Sequence, residues 1–154
     1  MLKLLAVWRE RGWPIIHVKH RSTESDSVFW PEQTGFEFKA EFEPLAGEIV
    51  VEKSVPCAFI NNTLADQLNE VNARNIVIVG AATNNSVEAT ARTGGNLGFS
   101  VYVVEDACFA FEKHDFDGVY RSAQEVHAMS LANLNGEYAQ VLKSDEILAK
   151  VAAQ

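Results

Sequence analysis

The sequence predicts an α/β protein with a mostly parallel sheet covered by helices on both faces. Three observations predict it. Strand-like and helix-like stretches alternate along most of the chain. The continuous apolar run "NIVIVG" at 75–80 suits a strand buried on both faces of a parallel sheet. Stretches with helical spacing of apolar residues, such as Leu64, Leu68 and Val71, supply covering helices. Alternation of this kind builds right-handed βαβ units.

Taken in order, Leu2, Leu5, Ala6 and Arg9 share one face of a first helix, and Gly12 supplies its stop. "PIIHVKH" (14–20) is a β-rich run opening on a proline, where a strand tolerates one. Residues 21–47 are polar and aperiodic, a loop long enough to be functional. Phe29, Trp30 and Phe36 either wall a pocket there or pin the loop down. "EIVVEK" (48–53) reads as a strand, and 63–71 as a helix with Thr63 at its N-cap. After the strand at 75–80, a helix is expected from about Ser86 to Leu97, then a strand at 99–106. "SAQEVHAMSLANL" makes a helix, "YAQVL" a last strand, and "SDEILAKVAA" a closing helix with acids in its first turn. No repeat, low-complexity tract or linker interrupts the pattern, so 1–154 is read as a single domain.

The chain has 154 residues and a formal net charge of −8. That charge argues against nucleic-acid binding, because neutralising phosphates needs a basic face. No stretch approaches the length of a membrane span, and Arg9-Glu10-Arg11 interrupts the short apolar start. Two cysteines, Cys57 and Cys108, form no C-x-x-C pair, so reduced thiols and a cytoplasmic location are expected.

Ligands of parallel α/β sheets bind beyond the carboxyl ends of strands, here at Lys53, Gly80 and Asp106. Lys53 is either a solvated edge residue or a buried cation that orients a substrate or lowers a nucleophile's pKa. The Gly80-Ala81-Ala82-Thr83 turn leads into a helix N-terminus, where backbone N–H groups and the helix dipole favour a carboxylate or an oxyanion. Ser86 sits in the first turn, as a cap, as a reactive hydroxyl, or as both. Asp106 is a candidate structural carboxylate nearby. "TGGNLG" precedes a strand and lacks a G-K-[ST] ending, so it reads as a helix end and turn instead of a phosphate loop. His17 and His20 lack a second ligand pair, and His127 shares a face with Leu131 and Leu134 as a core histidine would. No metal and no cofactor are expected.

Three blocks, "VEKSVPCAFINNTLADQL", "NIVIVGAATNNSVEATARTGGNLGFSVYVVEDACFAF" and "EVHAMSLANLNGEYAQVL", together resemble the isochorismatase-like cysteine hydrolase superfamily, which includes nicotinamidases and N-carbamoyl amidohydrolases. The second block is the specific one. The family pattern G-x-x-T-x-x-C-V-x-x-T-A stands here as G-A-A-T-N-N-S-V-E-A-T-A. The resemblance implies a three-layer α/β/α, Rossmann-like fold and hydrolysis of a small amide, ureide or related carbonyl compound. It implies a site in which Lys53 matches the family lysine and Ser86 stands where the cysteine nucleophile would be. It places a cis peptide at Ala81–Ala82 and oxyanion or substrate contacts at Ala81, Ala82 and Thr83; Trp30 and Phe59 are candidate pocket residues beside them. The family aspartate ends a strand ahead of the first helix, and no acidic residue in Met1–Val7 matches it, so that central strand is expected to be missing. A catalytically weakened member that binds a ligand or supports assembly is the alternative. Homo-oligomers are expected, from the unfilled place in the sheet and the aromatic loop, and as the resemblance implies.

Overall fold

The computed structural model describes residues 1–153, in two compact units, Leu2–Asn72 and the chain from Ala73 onward with Met1. Three separate sheets are present among the described residues.

The first unit opens with helix α1 (Leu2–Glu10), which buries Leu4 while Leu2 stays half exposed. Gly12, at φ +62, ends it. The Trp13 amide reaches back to the Trp8 carbonyl and the Gly12 amide to that of Arg9, while the two indoles meet edge to face 5.1 Å apart. That satisfies two carbonyls a helix end leaves open and adds the apolar contact that commonly accompanies the motif. Strand β1 (Ile16–His20) pairs in parallel with β2 (Ile49–Lys53), from Ile16 opposite Ile49 to His20 opposite Lys53. The segment between them holds two short 3₁₀ turns, Thr34–Phe36 and Ala40–Phe42. Phe36 is buried with the Lys19 ammonium 3.7 Å from its ring centre, so this aromatic pins the loop down. Helix α2 (Leu64–Glu70) buries Leu64 and Leu68. Thr63 makes no side-chain cap; Asn62 accepts from the Leu64 amide instead. Val71 lies just past the helix, 40 % exposed, because Asn72 at φ +54 turns the chain away.

In the second unit, β3 (Asn75–Ala81), β4 (Ser100–Phe109) and β7 (Gln140–Leu142) form one parallel sheet in the order β3-β4-β7. The strand expected to be buried on both faces, β3, is an edge of this sheet, and Val79 is 39 % exposed. Central β4 carries the deepest residues instead, with Val103 and Val104 fully buried. β3 and β4 run in register from Asn75–Ser100 to Ile78–Val103, then resume at Gly80–Cys108. β4 thus bulges through 104–107. Asp106, in that bulge, accepts from the Ser144 amide at 2.7 Å and caps helix α5 (Ser144–Ala152). It is structural, as expected of it, but its partner is a helix start.

A π-type turn at Thr83–Val87 leads into α3 (Glu88–Asn96). The glycine-rich stretch ends α3 as expected: Gly98 has φ +88 and the Phe99 amide bonds the Gly94 carbonyl. A two-stranded arm not foreseen in the sequence, β5 (Lys113–His114) and β6 (Tyr120–Arg121), precedes α4 (Ala123–Leu134). α4 starts on a reciprocal cap between Ser122 and Glu125. No described helix is long and apolar enough to cross a membrane.

Candidate active site

In the first unit, Lys53 closes β2 and is only 6 % exposed, which removes its reading as a solvated edge residue. Its Nζ donates to the Val55 carbonyl at 3.0 Å and lies 3.4 Å from His20 Nδ1 on the neighbouring strand. Burial holds the Lys53 pKa below the ordinary lysine range, partly opposed by the nearby Cys57. His20 is also held below its usual pKa, first by burial and then by the Lys53 charge. A neutral His20 offers Nδ1 as an acceptor to the ammonium. The other face of this histidine meets Phe29 edge on at 5.7 Å. The sequence marks His20 only as a histidine without a second ligand pair; the parallel register sets it beside Lys53.

Of the two expected pocket walls, Trp30 is half-buried in a turn, its amide bonded to the Ser27 carbonyl and its carbonyl accepting from Gln33. Phe59 is half-buried, and its amide lies 3.4 Å from Cys57 Sγ. The structure joins neither cysteine in a disulfide. Cys108 is buried, which pushes its thiol up to about 11.

In the second unit, β3 delivers the small-residue turn. Ala81 pairs with Phe109 of β4, and the Ala81–Ala82 peptide is cis. Gly80, at φ +128, occupies backbone space that a side chain rarely adopts. Ala81 is exposed, Ala82 half-buried, and the Ala82 carbonyl accepts from the amides of Asn85 and Val87. That double acceptance makes the wide turn that carries Ser86, half-buried, just ahead of α3. A helix start of this kind favours negative charge.

Thr83 turns inward. It is fully buried, and its Oγ1 lies 2.8 Å from His127 Nδ1 on α4. One turn further along α4, the buried Ser130 hydroxyl shares its proton between Glu88 Oε2 at 2.6 Å and the Thr83 carbonyl at 3.0 Å. Arg92 closes the other Glu88 oxygen at 2.8 Å. The Thr83 hydroxyl and carbonyl are therefore both engaged by α4. His127, expected as a plain core histidine, is hydrogen-bonded; the available signal was two polar residues, 127 and 130, at i, i+3 on the face that carries Leu131 and Leu134. Among the described residues, no group of three His, Cys, Asp or Glu side chains is placed to hold a metal ion.

The isochorismatase domain model matches residues 1–146. An uncharacterized isochorismatase family protein of Bacillus subtilis, YrdC, is 37% identical over 148 residues, 95% of this chain and 78% of that protein. The ureidoacrylate amidohydrolase RutB of Acinetobacter baylyi is 39% identical over 74 residues, 48% of this chain and 30% of that enzyme. Among solved structures, an isochorismatase-family protein from Chromobacterium violaceum superposes with a TM-score of 0.96 at 49% identity, over 99% of this chain and 79% of that one. An isochorismatase from Pseudomonas putida gives a TM-score of 0.89 at 32% identity, over 94% of this chain and 74% of its own.

Proposed function

The chain belongs to the isochorismatase family, and from that premise we propose that it hydrolyses a small amide, ureide or related carbonyl compound with Lys53 and Ser86 as its working residues. The match of the family model across nearly the whole chain carries this reading. The local match to an enzyme named for ureidoacrylate supports the ureide class. The burial and depressed pKa of Lys53 support a cation held for chemistry instead of solvation. The turn ahead of α3 supports Ser86 as the residue that meets the carbonyl, with backbone N–H groups beside Ala81, Ala82 and Thr83 receiving the oxyanion. In this reading the Ser86 oxygen bonds the carbonyl carbon, the amine departs with a proton, and water releases the acid from the ester. A serine hydroxyl is a weaker nucleophile than a thiolate, so turnover slower than a cysteine enzyme's is part of the proposal. The substrate is a small molecule met in the cytoplasm, where thiols stay reduced, and the protein works as a homo-oligomer.

The test is ammonia release from a panel of primary amides and N-carbamoyl compounds. We expect turnover of at least one compound, reduced about a hundredfold or more by Ser86→Ala and by Lys53→Met. A panel without turnover, or a Ser86→Ala variant at full rate, overturns the reading.

A further inference from the structure

We infer that His127 is a positioning residue: with Ser130 it clamps the Thr83–Val87 turn to α4 and so sets the direction in which Ser86 is presented. The inference rests on that turn being the reactive one.

The observations are all within the second unit. Thr83 is the first residue of the turn and is held at both ends of its own structure. Its hydroxyl meets His127 Nδ1 at 2.8 Å, and its carbonyl lies 3.0 Å from the Ser130 hydroxyl. Ser130 also reaches Glu88, the first residue of α3, at 2.6 Å, and Asn133 reaches the same carboxylate at 3.4 Å. The residue that opens the turn and the one that follows it are thus both tied to one face of α4. α4 in turn is fixed by apolar burial: Leu131 is 9 % exposed and Leu134 is fully buried, one and two turns beyond His127. Its start is fixed by the reciprocal Ser122–Glu125 cap.

A wide turn needs this help. Within it, Ala82 accepts two amides, and an isolated stretch of that shape is short of the regular hydrogen bonds that hold an α-helix. Thr83 has its hydroxyl fully removed from water, so an unmatched Oγ1 would carry the cost of a buried polar group. His127 satisfies it and gives the hydroxyl one direction. The atom that matters is Nδ1, which sits close to the α4 backbone; Nε2 lies farther out.

That distinction supplies the test. Asparagine places a polar atom near the position of imidazole Nδ1, and glutamine places one near Nε2. The background is Ser86→Cys, whose thiol is labelled with iodoacetamide across pH, because a helix start lowers a thiol pKa only when the geometry is right. Amide hydrogen exchange over 84–88 is read alongside. We expect His127→Ala and His127→Gln each to slow labelling at neutral pH about tenfold and to speed exchange in the turn, and His127→Asn to stay within about twofold of the background. Asparagine as slow as alanine would show that ring volume matters and the Nδ1 contact does not. Three variants like the background would show that α4 does not set the turn.

If His127→Ala does not fold, Thr83→Val keeps the shape and removes the hydroxyl. It should give the same slowing, and adding His127→Gln to it should change nothing further; independent, additive effects overturn the clamp. A background thiol no faster than an exposed cysteine defeats the hydrolase reading alone. The clamp is then decided by exchange in the turn, where unchanged rates in all variants reject it.

Discussion

Glu48 and Lys53 are two little-exposed charges of the first unit, treated in opposite ways. Arg9 grips both Glu48 oxygens, at 2.7 and 3.0 Å, while the Leu45 amide and His17 Nε2 add bonds at 2.8 and 2.7 Å. The Arg9 bond, chiefly, pulls the Glu48 pKa from 4.5 to about 2. Lys53 instead meets the Val55 carbonyl and His20 Nδ1, and burial works against its charge. The sign of the Glu48 effect follows from linkage: a carboxyl with a folded pKa below its unfolded value adds stability above about 4.5, and that contribution drains away as pH falls toward about 2. Glu48→Gln should lower the thermal midpoint at neutral pH and flatten its fall between those two values. A variant that tracks the parent curve at every pH would show that Glu48 does not hold the Arg9–His17 network. At this scale the sequence was readable where chemistry sits at an element's end. Lys53 and Ser86 stood out by position, whereas the burial of Lys53 depends on what covers it. His127 and Thr83 are 44 residues apart, and nothing local links them.

Elements were legible where periodicity or a cap announces them, and less so where pairing decides. The capped helices α4 and α5 fall within a residue or so of expectation, because Ser122 and the acids after Ser144 mark their starts. β3 was overrated as a doubly buried strand: an apolar run reports hydrophobicity and is silent on whether a strand lies at the edge of its sheet. The β5–β6 arm is two residues per strand, too short for any period to register. Thr63 and Asn62 are both good capping residues, and only the geometry of the preceding turn, which brings Asn62 to the Leu64 amide, separates them. Gly95 makes a test of packing against propensity. Alanine favours a helix interior over glycine by about 1 kcal/mol. A Cβ at Gly95, however, would stand 2.6 Å from the Tyr138 carbonyl, a backbone atom that cannot swing aside. Overpacking of that kind costs about 1–3 kcal/mol, so Gly95→Ala should lower the melting temperature by several degrees. An equal or higher midpoint in a calorimetric scan would mean the Tyr138 segment gives way freely.

At the scale of the molecule, the α/β class and the parallel pairing were legible because alternation of strands and helices leaves few ways to bury both. The proposed self-association draws on exposed aromatic surface of the second unit: Phe111 is 61 % exposed, Tyr120 58 %, and Phe116 entirely so. Sedimentation velocity at micromolar concentration should show a species heavier than 17.0 kDa, and Phe111→Ser with Phe116→Ser should shift it toward that mass. A parent that sediments only as the monomer ends the proposal. The bulge of β4 has a separate consequence, for how the chain avoids mispairing. A uniform parallel ladder can slip by a residue and still satisfy many amides, turning its side chains to the wrong face. Here β3 and β4 meet in two stretches with unequal chain between them, Ile78 to Gly80 on one side and Val103 to Cys108 on the other. A slipped strand would have to relocate the bulge as well, and that would draw Asp106 off the Ser144 amide, leaving the start of α5 to its own Glu146–Lys143 bond. The correct alignment is therefore checked at a helix start outside the sheet, so a misaligned pair of strands also weakens an element that neither strand contains.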